Sequence, residues 1–443
     1  MKKARVYLLL GLVVFCSACA APSLRYKTDI NRMAASGNFK EAADKVEAQR
    51  RKNYARQDRA LAYLDEAVLL HDAGEAAKSD ELLAQAQERI EELYTVSATK
   101  SIGRVAINDL TLPYSVSAFE RALTYFYRMV NFVDQNNLSD AAVEARRAVL
   151  FLDNLRGSKK KGYNDDPFVQ YFASLVFESV GQIDDARISR SNALNAYKNL
   201  SSLLNVRAPE FVVPSNYNEL GEVIILHYNG VLPLKRNTTV QFAWDRVYAI
   251  LSTAQESQRE SLSPQVANAL RAGFMGRAVT LAYPVLEQPF YTVTSAFVQT
   301  EDGQRYNMQK MADLAAAAKA DLDERLPGIW FRAVARAVAK QVAAAATSQA
   351  VNSAVNNKDN QVWGDLAGLF VTVAGSAVEK ADTRQWFTLP AQIFMTRLFL
   401  KPGEQDIRLL LRDGYGNIVA EHTFEKVKVA AGGRVFLHYR TAK

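Results

Sequence analysis

Four helix breaks, each followed by small residues at fixed offsets, constrain this chain more than any other feature. The region from about Ser23 to Leu204 carries apolar residues at three- and four-residue intervals and almost no proline, so it reads as helical throughout. At Gly74-Glu75-Ala76 the pattern breaks, and Ser79, Leu83 and Ala86 follow five, nine and twelve residues after the glycine. Ala141, Ala145 and Ala148 hold the same offsets after Asn136-Asn137-Leu138. Ala42 follows Gly37-Asn38-Phe39, and Ala186 and Ala193 follow Gly181-Gln182-Ile183 in the same way. A glycine or asparagine permits a tight reversal, and small residues let the returning helix approach closely. Helical hairpins are therefore expected at all four places, with a generic bundle joined by glycine turns as the blander form.

This arrangement resembles the turn between the two helices of a tetratricopeptide repeat, although the spacing here is an uneven, roughly 40 to 60 residues against the family's 34. From Pro209 the texture changes. Gly221 to Tyr228, Val279 to Tyr283 and Tyr291 to Val298 read as strands, ended by signals such as Asn229-Gly230 and Asp302-Gly303. Helices are expected from Met311 to Leu326, closed by Pro327-Gly328, and then as a hairpin of Ile329 to Val355 and Val362 to Lys380. Strands return at Phe394 to Leu400, Ile407 to Arg412, Ile418 to Phe424 and Arg434 to Arg440. The expected fold is α+β: a TPR-like helical hairpin domain, then a mixed region with a long helical hairpin and a small antiparallel β-sandwich. The boundaries implied are 26–208 for the helical domain, 209–310 for a strand-rich domain, 311–382 for the Ala-rich helices and 383–443 for a C-terminal β unit packing with 209–310.

The N-terminus supplies an address. A basic start (Lys2, Lys3, Arg5) precedes an apolar run from Val6 to Phe15 and then Cys16-Ser17-Ala18-Cys19. The run is too short to span a bilayer and reads as an export signal over 1–18. Cys19 follows the small residue Ala18 and is the expected lipidation site, with 19–25 as a tether; Cys16 follows bulky Phe15. An ordinary secretory signal is the alternative. Ala20, not Asp, follows the lipid cysteine, which by resemblance to proteobacterial lipoproteins implies sorting to the outer membrane, facing the periplasm. The formal charge is +7, of which Lys2, Lys3 and Arg5 lie in the signal, so the mature chain is only mildly basic. That balance and the export signal speak against nucleic acid as a partner. With Cys16 removed and Cys19 acylated, no intramolecular disulfide is available, and stability must come from burial.

Chemistry-bearing motifs are sparse. His71, His227, His422 and His438 lie nowhere near metal-ligand spacing, so no metal and no cofactor is expected. There is no G-x-S-x-G elbow and no H-E-x-x-H. Arg332, Arg336 and Lys340 recur every four residues, opposite the apolar stripe Trp330, Val334, Val338 and Val342. This basic stripe is either a docking strip for an acidic partner or anionic lipid heads, or an ordinary solvated face. Gly364 and Gly368 form a small-xxx-small pair that suits close packing or self-association. In the segment 381–390, Asp382 and Arg384 are expected to fix a turn by charge-assisted hydrogen bonds, with Trp386 and Leu389 plugging the junction.

Cys19, the Gly221-Glu222-Val223 strand with Tyr228-Asn229-Gly230, and the Ala381 to Trp386 segment with Leu389-Pro390 together resemble a family of proteobacterial outer-membrane lipoproteins. That resemblance covers nearly the whole chain. It implies a TPR-like N-terminal half, a strand-rich C-terminal half and a setting in envelope assembly beside small lipoproteins similar to activators of peptidoglycan synthases. The reading that follows is a non-enzymatic periplasmic scaffold whose hairpins offer a concave surface to other periplasmic or outer-membrane proteins. A cell-wall-modifying hydrolase using carboxylates such as Glu222 or Asp245 is a second reading. Homo-oligomerisation, as in an accessory component of a secretion or flagellar complex, is a third.

Overall fold

Left-handed residues mark all four helix breaks in the N-terminal half of the computed structural model, which describes residues 22–99, 112–158, 162–243, 278–287, 290–354 and 380–443. They are Gly37 (φ 81°), Gly74 (φ 79°), Asn136 (φ 57°) and Gly181 (φ 73°), the four breaks read from the sequence. Each separates two helices: α1 (Leu24–Ala35) from α2 (Phe39–Asn53), α3 (Arg59–Asp72) from α4 (Ala76–Thr99), α5 (Ala118–Asp134) from α6 (Leu138–Gly157), and α7 (Pro167–Ser179) from α8 (Ile183–Leu204). The turns share one hydrogen-bond pattern. The residue after the left-handed one donates to a carbonyl five residues back: Asn38 to Met33, Glu75 to Leu70, Asn137 to Phe132 and Gln182 to Phe177, at 2.8–3.0 Å. This is the Schellman closure, which satisfies carbonyls that the helix end leaves open. Ala42, Ser79, Ala141 and Ala186, five residues on, are buried where the return helix begins its contact.

The two helices of a hairpin are not equivalent. Nearly every residue of α3, α5 and α7 is buried, whereas α4, α6 and α8 expose one side. The first helices of the last three hairpins thus face inward and the return helices face solvent.

What they face is a sheet. Strands β1 (Gly221–Asn229), β6 (Gln309–Asp313), β7 (Gln392–Leu400) and β10 (Arg434–Thr441) form a four-stranded sheet in the order β10-β1-β7-β6. A second sheet has the order β5-β4-β8-β9, from β4 (Ser295–Thr300), β5 (Arg305–Asn307), β8 (Gly403–Arg412) and β9 (Ile418–Val429). Strands β2 (Leu234–Ala243) and β3 (Ala278–Glu287) pair as a separate antiparallel ribbon. All nine residues of β1 are buried, because both of its faces are covered. Ile224, Leu226 and Tyr228 join the helical core, while Val223 and Ile225 join the core shared with the second sheet. The result is three layers, helices on sheet on sheet.

The C-terminal strands do not form a unit of their own that packs against 209–310. β7 pairs antiparallel with β1 and β10 pairs parallel with β1, whereas β8 and β9 sit in the other sheet beside β4. Alternation tells which faces of a strand are apolar and is silent about which strand lies beside it. Three strands, β2, β5 and β6, were not expected at all; β2 is rich in polar residues such as Lys235, Arg236 and Asn237.

Pro327-Gly328 also does not end a helix. A single helix α9 (Leu314–Ala354) runs through Pro327, and Met311 to Asp313 belong to β6. Asp313 caps the new start, accepting from the Ala316 amide at 3.0 Å. A proline removes one intrahelical bond and bends the axis, and the Ala-rich flanks propagate the helix past it. The Val362 to Lys380 helix, and therefore the long hairpin, lies outside the described residues. Among the described residues no helix is long and apolar enough to cross a membrane.

Candidate functional site

Between α9 and β7 the chain crosses the inner side of the helical hairpins as an irregular strap, residues 380–391, buried almost throughout. A buried segment without regular structure must find partners for its own amides and carbonyls. Side chains of the helices supply them. Glu120, in the first turn of α5, accepts from the Trp386 amide at 3.0 Å. Asp65, in the middle of α3, accepts from the Phe387 amide (3.1 Å), the Thr388 amide (3.4 Å) and the Thr388 hydroxyl (3.3 Å). Its other oxygen accepts from the Tyr54 hydroxyl at 2.9 Å. Lys27 of α1 donates to the Thr383 carbonyl at 2.6 Å, and Arg440 of β10 donates to the Thr388 carbonyl at 3.3 Å. Burial pushes the Asp65 carboxyl up to about 8 and the Lys27 ammonium down to about 8, while each charge pulls the other back.

Arg384 is the strap's anchor. Its guanidinium grips Asp382 with two bonds, Nε to Oδ1 at 2.9 Å and Nη2 to Oδ2 at 2.7 Å. Its Nη1 donates to Asp58 Oδ1 and to the Leu112 carbonyl, both at 2.7 Å. Burial opposes its charge, yet Asp382 and Asp58 hold its pKa above the ordinary arginine value. Trp386 is fully buried beside Tyr127, and Phe387 packs on Tyr26 with Lys27 over its ring. The sequence directs attention to Asp382, Arg384 and Trp386 but not to their receivers Asp58, Asp65 and Glu120. One signal was present: Asp65 lies among Leu61, Leu64 and Val68 on an apolar helix.

Below the strap lies a polar junction. His71 and Asp72 end α3, Tyr127, Asn131 and Asp134 lie along α5, Tyr228 is on β1, and His438 and Arg440 are on β10. The rings of His71 and His438 stack at 4.5 Å, and His438 Nε2 meets Asp134 Oδ2 at 3.0 Å. His227, on the opposite face of β1 from Tyr228, is buried with Nε2 3.0 Å from the Thr441 hydroxyl. Burial, then the nearby Arg440 charge, pushes the His227 imidazole down to about 3. The folded protein thus keeps it neutral where the unfolded chain, titrating near 6.5, takes a proton. The stability it contributes is complete above pH 6.5 and is lost as pH falls toward 3. A His227→Gln variant is expected to lose stability less steeply in that window, by up to about 1.4 kcal/mol per pH unit. Urea unfolding at a series of pH values checks this; parallel slopes for variant and parent would refute it.

The remaining predicted residues fall elsewhere. Arg332 and Arg336 are half-buried on α9, whose neighbours Phe331, Val334 and Ala335 are buried, so this stretch is not a clean solvated face. The Lys340 side chain, Asp245 and Cys19 lie outside the described residues. Glu222 is no free acid. It is buried between Arg397 and Arg434, and Arg434 Nε donates to it at 2.6 Å. Arg397 also donates to the Tyr171 hydroxyl (3.1 Å), and Arg434 to the Leu175 carbonyl (2.7 Å) and Glu178 (3.0 Å), so the network ties β1, β7 and β10 to α7. A groove of about 640 Å³ beside α8 is lined by amides such as Asn192, Asn195 and Asn199. The one carboxylate in its lining, Asp165, is held by Arg156 at 2.6 Å. No protein-family model, curated protein or solved structure matches this chain.

Proposed function

We propose that this chain is an outer-membrane-anchored periplasmic lipoprotein of the proteobacterial type it resembles, acting as a protein–protein scaffold in envelope assembly. The signal ending at Cys19 supports the address. The observation that carries the scaffold reading is the strap: Asp65 and Glu120 bind an irregular, turn-containing segment through its backbone amides, as a helical-repeat surface can hold a peptide. The concave surface expected to receive a partner is filled by the protein's own residues 380–391 and its first sheet. Partner contact then falls on the outward return helices, where Val143, Leu150, Ile183, Ile188 and Leu194 are exposed apolar side chains on α6 and α8. The Arg-locked Glu222 weighs against the hydrolase.

Crosslinked pull-down of the full lipidated protein from its native envelope tests this. A specific periplasmic partner is expected, with recovery reduced at least tenfold by Leu150→Glu and Ile188→Glu while the circular dichroism spectrum is unchanged. No enriched partner, or recovery indifferent to both substitutions, would overturn the reading.

A further inference from the structure

We propose that His71, Asp134 and His438 form a binding site for a divalent transition-metal ion, best suited to zinc, that staples the last strand to the helical hairpins. One donor atom from each lies within 4.8 Å of the others. The pair His438 Nε2 and Asp134 Oδ2, at 3.0 Å, stands within about half an ångström of the separation of two ligands on one ion.

His71 is prepared as a ligand by the groups behind it. The Ser79 hydroxyl donates to the Ala67 carbonyl (2.7 Å), so its oxygen accepts from Asn131 Nδ2 (2.9 Å). That orients the Asn131 amide with Oδ1 toward His71 Nδ1 at 2.7 Å, so Nδ1 carries the proton. The lone pair of His71 is thereby placed on Nε2. This atom is fully buried and has no hydrogen-bond partner among the described residues. An orphaned buried acceptor costs free energy. A second-shell amide fixing the tautomer of a histidine with a bare nitrogen is the arrangement that metal-ligating histidines use. Burial, then the adjacent His438, also pushes the His71 imidazole down to about 3, keeping it in the neutral, ligating form.

Electrostatics and access agree. His71 lies in the last turn of α3 and Asp134 is the last residue of α5, so the negative ends of two helix dipoles meet at the site. Buried Asp72 adds a carboxylate nearby, with Arg440 3.8 Å from it as the opposing charge. The side chains of Asp134 and His438 are 24% and 19% exposed, which leaves an entrance and a position for water as a further ligand. Ligands about 2.0–2.1 Å from zinc stand roughly 3.4 Å apart in a tetrahedron. The set must therefore tighten by up to about 1.4 Å, and the His438 ring, now 18° from parallel with His71, must tilt to aim its nitrogen. The half-exposed His438 and Asp134 are the members free to do so. The ion takes the place of the contact between them, with the neutral His438 ring ligating through Nε2 and carrying its proton on Nδ1.

The test uses the full chain in detergent, with thiols alkylated and metal stripped by chelator, titrated with Zn²⁺ in a calorimeter and with Co²⁺ by visible absorption. One Zn²⁺ per chain, a tetrahedral Co²⁺ band and a Zn²⁺-dependent rise in Tm are expected. His438→Ala and Asp134→Asn, both at half-exposed positions, should each weaken binding by at least about tenfold and abolish the Tm rise with folding retained. Binding undiminished in both variants would place the ion elsewhere and overturn the proposal, as would no binding by the parent at tenfold molar excess.

Discussion

Replacing Arg384 with alanine is expected to lower the unfolding free energy by about 3–5 kcal/mol, the range for removing one partner of a buried ion pair. Arg384 and Asp58 are 2% and 1% exposed, so the loss leaves Asp58 as a buried charge with the Tyr114 amide, at 2.9 Å, as its remaining partner. The Leu112 carbonyl loses a donor as well. Asp382 is 30% exposed and regains water, so it contributes little to the loss. Urea unfolding measures the effect, and an Asp58→Asn background should recover part of it, because the orphaned charge is then absent. A loss below about 1 kcal/mol would show that the strap is held by Trp386 and Phe387 packing instead.

Glu222→Ala is expected to be comparably severe, about 3–5 kcal/mol, since it removes the carboxylate shared by two arginines and strands Arg397. Arg397 is 6% exposed and Arg434 is 15% exposed; Arg434 keeps Glu178, while among the described residues Arg397 keeps neutral partners such as Tyr171. Glu222→Gln preserves the volume and one acceptor and should fall between the two. The same pair of variants separates the scaffold from the hydrolase. For a general acid or base, Gln would abolish turnover and leave stability intact. Here thermal melts of both variants should drop in the order Ala below Gln below parent, and an unchanged melt for Gln would reopen the catalytic role.

The legible part of the fold was local. The four turns were visible because a left-handed residue, small followers and an amphipathic return helix lie within a dozen residues of one another. Strands β1, β7, β8, β9 and β10 were visible through their apolar runs and the turn residues between them. Pro327 misled because its effect depends on the helix on both sides of it. β2 was missed because its polar residues carry no alternation toward a core.

Within the strap, Asp382 and Arg384 are two residues apart and Arg384's grip on Asp382 is a local matter. Asp58 and Asp65, which receive the strap, are 326 and 322 residues away from their partners Arg384 and Phe387. On α3 an aspartate among leucines announces that something polar will arrive, without saying what. The histidines make the same point. His71 and His438 share no spacing along the chain that suggests a metal, yet β10 returns to lie parallel beside β1 and brings their rings to 4.5 Å.

By itself, then, the sequence determined the helical hairpins and the strand-rich second half, because turn stereochemistry and hydrophobic period act over a few residues. Tertiary structure alone decided that the strap fills the inner side of the hairpins, that Glu222 is locked between arginines, and that two distant histidines meet at two helix ends. Those outcomes depend on which buried surfaces and charges find one another across the chain, and no local pattern encodes that choice.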